Sequence, residues 1–411
     1  MRYLSLLATI IIPLGLYAFI FNSSVFSSSF LSKHLNDDNT AFIATLPEDT
    51  SNRELLIQSW KTYRNTFIQN DGRVIDYQAK HRSTSEGQAY AMLRAVLIDD
   101  PSTFAKTLNW GENNLKRQNN GRKTDNLWAW KWGKRADGSW GTIDNNFASD
   151  GDIDAITALI FAYRRWNQPK YLELAKTKLR DLWKFSTVTD SQGKHYLLPG
   201  PKDAFIPNSS TIYLNPSYFA PYAFRIFSQV YPERDWLNLV DTSYQVLEKS
   251  NEISAVGLPS DWVALNIKSG EIQALPPSSK IQTLYSFDAY RVWWRIALDA
   301  AWFNSSPAKA FLRKSTQHLQ QLYRTKSYLP ARIDLQGKPL VDYEATSQYA
   351  MFYVAMRLIQ PKIAQEILTS KILSQYKNGI WGDRSAYYTQ NLAWLSLLHP
   401  SDIPRKLIQK K

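Results

Sequence analysis

The chain has 411 residues, is 44% hydrophobic and 14% aromatic, carries a net charge of +13 and contains no cysteine. A core of that size needs no covalent staples, and the missing Cys excludes disulfides and thiolate metal sites. Lys and Arg are dispersed, with no dense stripe and no nucleic-acid motif, so the charge reads as a basic solvated surface rather than a nucleic-acid footprint.

The N-terminus comes first in chain order. Tyr3 to Phe21 is apolar apart from Ser5 and Thr9, and Arg2 precedes it. A run of about twenty such residues can cross a bilayer as a helix. No small-x-small cleavage site follows; the sequence runs Phe21-Asn22-Ser23-Ser24-Val25-Phe26. An uncleaved membrane anchor over residues 1–21 is therefore favoured over a cleaved signal peptide. Either predicts that the body is exported, on the outer face of the cytoplasmic membrane or released beyond it. Residues 22–50 are rich in Ser and Asn and read as a polar tether.

From residue 51 apolar residues recur at helical spacing. They predict helices over 54–68, 88–98, 101–115, 152–166, 171–185, 221–231, 236–249, 286–303, 307–323, 346–360, 361–376 and 388–398. Some are apolar nearly all round, such as 155–162, and others carry a charged face, such as 171–184. A helix apolar all round is buried, and one with a polar face lies outside. The alternation predicts an all-α fold of inner and outer helical layers, an (α/α)6 toroid or barrel. No Gly/Ser- or Pro-rich linker divides residues 51–400, so one large domain is expected, followed by a basic tail over 401–411. Strand signals are short, the best at 73–77 and 195–198. The segment 126–139, rich in Trp, Asn and Gly, reads as a loop able to wall a cleft at one rim.

Carboxylates in aromatic surroundings carry the chemistry. Glu86 precedes an apolar helix, where Thr84 and Ser85 are candidate caps and the acid could simply complement the helix dipole. Asp150, Asp152 and Asp154 open another buried helix, without the further ligands of a calcium loop. Asp288 lies among Tyr285, Phe287, Tyr290 and Trp293, with Arg291 placed at i+3 to pair with it. Trp128, Trp130 and Trp132 occupy alternate positions, which suggests a stacking platform for sugar rings. The five His are scattered without metal-ligand spacing, and no phosphate-cradling loop occurs, so neither metal nor organic cofactor is expected. Acid and base groups beside aromatics suit cleavage of a glycosidic bond.

The wording of five segments is more specific. Thr84-Ser85-Glu86-Gly87-Gln88-Ala89-Tyr90-Ala91-Met92, Ala148-Ser149-Asp150-Gly151-Asp152, Leu214-Asn215-Pro216-Ser217-Tyr218, Ser260-Asp261-Trp262-Val263 and Tyr285-Ser286-Phe287-Asp288-Ala289-Tyr290-Arg291-Val292 stand in this order. Over roughly residues 50–400 the chain resembles glycoside hydrolase family 8, and within it the endoglucanases that accompany bacterial cellulose synthase. The resemblance implies six inner and six outer helices, an open cleft for a β-1,4-linked glucan, endo-acting hydrolysis with inversion, and a cellulose synthase complex as a candidate partner of a monomeric catalytic body. It implies Glu86 as general acid, Asp288 as the base that activates water, and Asp150 as a catalytic group or a grip on the sugar at the cleavage point. Tyr218 would help to place the water. Trp132, Trp130, Arg291 and Tyr387 complete the expected substrate contacts. Xylan, chitosan and mixed-linkage glucan remain alternative substrates, and a non-catalytic glycan-binding subunit is the alternative function. Two departures stand out: Asp154 adds a third acid to the signature, and Phe287 replaces a Tyr before Asp288.

Overall fold

In the computed structural model, which describes residues 48–409, the helices follow the apolar periodicity of the sequence. Apart from a single turn at Lys202–Phe205, in chain order they are α1 (Glu48–Phe67), α2 (Ser85–Leu97), α3 (Pro101–Asn114), α4 (Ser149–Trp166), α5 (Pro169–Ser186), α6 (Pro221–Val230), α7 (Trp236–Glu252), α8 (Tyr290–Phe303), α9 (Ser306–Ser315), α10 (Gln317–Lys326), α11 (Thr346–Ile359), α12 (Pro361–Ile367), α13 (Tyr387–Leu397) and α14 (Arg405–Ile408). Prolines open α3, α5, α6, α9 and α12, at the first-turn position where a missing N–H costs nothing.

The buried helices touch in a cycle. α2 packs on α4, α4 on α6, α6 on α8, α8 on α11, α11 on α13, and α13 returns to α2. Each is backed by an amphipathic helix: α3 on α2, α5 on α4, α7 on α6, α9 on α8, α12 on α11 and α1 on α13. The division follows composition. α4 is buried without a break from Ser149 to Ala162, whereas α5 buries only a stripe that includes Tyr171, Ala175, Leu179 and Leu182. The fold is thus mostly helical, with two layers around one continuous core.

Several expectations change on contact with the structure. Segment 126–139 is not a loop. It lies in a hairpin of β3 (Arg122–Lys134) and β4 (Trp140–Phe147), flanked by β1 (Ser83–Thr84) and β2 (Lys116–Asn119), all antiparallel. Residues 195–198 give the short strand His195–Leu197, but 73–77 make only isolated bridges at Val74 and Asp76. The helix expected over 286–303 begins at Tyr290, and the one expected over 307–323 breaks at Thr316. The segment 361–376 leaves α geometry after Ile367. The described part of the basic tail, residues 401–409, packs on the body. Leu407 and Ile408 are buried against α4, Arg164 Nη1 donates to the Leu407 carbonyl at 2.8 Å, and Gln229 Nε2 donates to that of Ile408 at 3.2 Å.

The expected anchor over 1–21 lies outside the described residues, as does the tether, except for its last three residues, which belong to α1. Among the described residues no helix is long and apolar enough to cross a membrane.

The cycle brings helix N-termini to one rim. Thr84 caps α2, its Oγ1 accepting from the Gly87 N–H at 3.0 Å. The start of α4 lies against it through Gly151: a Cβ there would stand 2.7 Å from Ser85 Oγ and 3.0 Å from the Glu86 nitrogen. A side chain at that point would push the two helix starts apart, so the missing Cβ lets Glu86 and Asp150 share one space.

Candidate active site

One buried guanidinium organises the rim. Arg291, on the first turn of α8, is 2% exposed. Its Nη1 donates to Glu86 Oε2 and, at 3.2 Å, to Asp150 Oδ2. Its Nη2 donates to Asp288 Oδ1 at 2.7 Å and to Ser217 Oγ at 2.9 Å. The pairing with Asp288 at i+3 is present, but it is one contact of four. Three carboxylates from α2, α4 and the turn before α8 therefore share one positive charge.

A ring of hydrogen bonds fixes Asp288. Asn215 Nδ2 donates to Asp288 Oδ2 at 3.2 Å, while Asn215 Oδ1 accepts from the Ser217 N–H at 3.0 Å and from Ser217 Oγ at 2.7 Å. Ser217 in turn accepts from Arg291, which closes the ring back to Asp288. Each oxygen of Asp288 takes one donor from this ring, so lone pairs remain that can meet water. Its side chain is 34% exposed, against 18% for Glu86 and 3% for Asp150.

Glu86 is held on both oxygens. Arg291 takes Oε2, and the Tyr387 hydroxyl, from the start of α13, donates to Oε1 at 2.7 Å. Burial raises the Glu86 pKa; Arg291 and Tyr387 oppose that push, and Asp288 adds to it. The net rise is chiefly the cost of burying the charged form, with neighbouring carboxylates adding to it. Burial likewise raises Asp150, to about 7, with Arg291 opposing and Glu86 adding. Asp154 belongs to a separate pair one turn deeper: Arg295 holds both its oxygens, with Nη2 at 2.9 Å from Oδ2, and Arg295 also meets Tyr222 Oη at 3.1 Å. The third acid of the signature is therefore largely neutralised by a partner of its own.

These groups face a cleft of about 750 Å³ whose walls include Trp130, Tyr218, Trp262, Phe287, Tyr387 and Tyr388. A groove of the same size, edged by Lys184, Lys202 and Arg234, lies elsewhere on the surface. Its carboxylates, Asp125 and Asp181, are occupied by Arg117 and Arg180. Of these two, the first gathers three carboxylates around one arginine beside a wall of aromatic side chains.

Comparison with known proteins identifies the family. The profile described as glycosyl hydrolases family 8 matches residues 42–401. The chain belongs to glycosyl hydrolases family 8. It is 31% identical over 333 residues to an endoglucanase of Salmonella typhi, covering 80% of this chain and 83% of that one. An endoglucanase of Escherichia coli K12 is 30% identical over 294 residues, covering 70% and 75%. Among solved structures, the endo-1,4-D-glucanase of Vibrio fischeri ES114 superposes with a TM-score of 0.68 at 25% identity, covering 82% of this chain and 93% of that one.

Within this family 8 chain the expected site residues are not all together. Glu86, Asp150, Asp288, Tyr218, Arg291, Tyr387 and Trp130 line the cleft. Trp132 is not among its lining residues. It stacks on Trp140 at 5.4 Å, meets Trp110 edge-on at 5.2 Å and lies 4.5 Å from the Arg73 guanidinium. Trp128 is buried, its Nε1 donating to Glu112 at 2.8 Å. The expected platform assumed regular alternation. The β3–β4 register shifts between Ala129 and Lys131 and again between Lys131 and Trp132, and such bulges re-aim side chains. Reasoning from sequence also gave no role to Asn215, Ser217 or Asp261. All three lie in segments that carry the family resemblance, which was the available signal.

Proposed function

We propose that this family 8 enzyme is an endo-acting, inverting hydrolase of β-1,4-glucan, with Glu86 as general acid and Asp288 as general base. The single observation that carries the roles is Arg291 bridging Glu86, Asp150 and Asp288 on the floor of an open aromatic cleft. The cycle of buried helices, each backed by an outer one, supports the (α/α)6 barrel expected from the sequence. The endoglucanase names of the relatives support the glucan assignment.

In this reading Glu86 enters the reaction protonated, held so by burial and by its two acidic neighbours. The acid hydrogen sits on Oε1, the oxygen that Arg291 does not hold, and points to the glycosidic oxygen while the Tyr387 hydroxyl keeps donating to Oε1. Glu86 then protonates the leaving oxygen as the glycosidic C–O bond breaks. Asp288, ionised, takes a proton from water attacking the anomeric carbon on the opposite face. Inversion is what the family resemblance implies, and it requires room for a water between the Asp288 carboxylate and the anomeric carbon. Asp150, deeper and gripped by Arg291, positions the sugar at the cleavage point. Trp130 and Tyr218 would stack on or flank the chain. Tethering through residues 1–21, an exported location and association with cellulose synthesis belong to the same proposal and rest on the sequence and the resemblance.

Two substitutions test the roles. Glu86→Gln and Asp288→Asn should each lower kcat on a soluble cellulose derivative by about 10²-fold or more, with oligosaccharide binding retained. NMR of the first product formed should show the inverted anomer. A retained anomer appearing first, or full activity in either variant, overturns the assignment.

A further inference from the structure

The segment Ser260-Asp261-Trp262 lies far from Asp288 in the sequence, yet it holds the turn that carries Asp288. Oδ1 of Asp261 accepts the backbone N–H of Ser286 at 3.1 Å and that of Ala289 at 2.8 Å, and Oδ2 accepts the Ser286 hydroxyl. All three donors lie within residues 286–289, so they bracket Asp288. The turn precedes α8, whose N-cap position, Ala289, has no side-chain cap of its own. Asp261 supplies from a neighbouring loop the acceptor that a capping residue would normally supply locally. The loop is anchored in turn: the Asp261 N–H donates to the Leu284 carbonyl at 2.7 Å, and Tyr285 exchanges both backbone hydrogen bonds with Ile333 at 3.0 Å.

Two carboxylates thus border the same part of the cleft, and their surroundings separate their tasks. Asp261 is 5% exposed, with both oxygens engaged by three donors of the 286–289 turn. Asp288 is 34% exposed, with one donor from the ring on each oxygen. A carboxylate whose oxygens are committed to the backbone is poorly placed to take a proton from water, whereas the partly open one can. We propose that Asp261 is a positioning residue for the hydrolysis, fixing the 286–289 turn so that the Asp288 carboxylate meets both Arg291 and the attacking water. Asn215 and Arg291 hold the Asp288 side chain; Asp261 holds its backbone. This rests on the reading of Asp288 as the base.

The same geometry fixes the form of the test. Asp261→Ala removes all three acceptor contacts. Asp261→Asn keeps one carbonyl oxygen for the two N–H groups, and its amide can donate to the Ser286 hydroxyl. Ser286→Ala removes the hydroxyl contact and leaves the two backbone contacts in place. Kinetics on a soluble β-1,4-glucan, cello-oligosaccharide binding by calorimetry and thermal unfolding are measured for each, with Asp288→Asn alongside. A misplacement of about 1 Å at a reacting group costs about 10²-fold in rate. Asp261→Ala should therefore lose about 10- to 100-fold in kcat, with KM and oligosaccharide affinity within about threefold of the parent. Asp261→Asn should recover most of that loss, and Ser286→Ala should fall between them. The proposal is overturned if Asp261→Ala keeps its kcat. It is also overturned if Asp261→Asn and Ser286→Ala, both folded, show no graded loss, or if the loss appears in KM and binding rather than in kcat. Should Asp288→Asn itself prove fully active, the base assignment fails, and this outcome is distinct from any result at Asp261.

Discussion

Tyr387 shows how a single hydroxyl sets the poise of an acid. Its hydrogen bond to Glu86 favours the carboxylate and so lowers a pKa that burial raises. Tyr387→Phe removes that donor, so the Glu86 pKa should rise. The basic limb of the kcat/KM profile, which reports loss of the acid's proton, should move to higher pH; an unmoved or lowered limb would contradict the role given to Glu86. At this scale the sequence was informative where chemistry is local and silent where it is not. Glu86, Asp150 and Asp288 were legible because each stands at a helix start in an unusual setting. Arg291 was legible as an i+3 partner of Asp288, but its contacts to Glu86 and Asp150 span 205 and 141 residues, and no local pattern records them. Trp132 was misplaced because two register shifts cannot be read from alternation.

Among the elements, the contact between α2 and α4 is the one most exposed to a small change. Gly151→Ala adds one carbon where Ser85 Oγ and the Glu86 nitrogen stand 2.7 and 3.0 Å away. Overpacking of this kind costs about 1–3 kcal/mol, and here the strain falls on the backbone that carries Glu86. Thermal unfolding should drop by several degrees, and kcat should fall with it. A variant of unchanged stability and rate would show that the helix starts separate freely. The helices themselves were largely legible, since apolar periodicity marks both the buried and the amphipathic set. The β3–β4 hairpin was missed because Gly, Asn and Trp dilute the alternation a strand normally shows, and its two bulges disturb the rest. α14 was missed because four residues are too few to show a period.

The whole molecule carries its acids at a cost that depends on pH. Burial first raises Asp150, Asp152 and Asp261, each from 3.8 to about 7, with a nearby acid adding to the effect in each case. Between those values the unfolded chain has released protons that the folded chain retains, so these groups make stability fall as pH rises from about 4 to about 7. Asp100 and Asp181 are shifted the other way by their hydrogen bonds and arginine partners. Their contribution is lost as pH falls below 3.8. The melting temperature should therefore peak in mild acid and decline toward neutrality. Asp152→Asn, which keeps an oxygen for the Trp128 N–H bonded at 3.1 Å, should flatten that decline; a melting temperature climbing steadily from about pH 4 to pH 7 would refute the account. The closing contact of the cycle has a consequence in time. Glu86 emerges early during synthesis, and the tyrosine that grips it follows 301 residues later, so a nascent or truncated polypeptide cannot assemble the surroundings of that carboxyl group. If the chain is threaded outward before it folds, hydrolytic competence arises only at the destination, once its last long helix has docked.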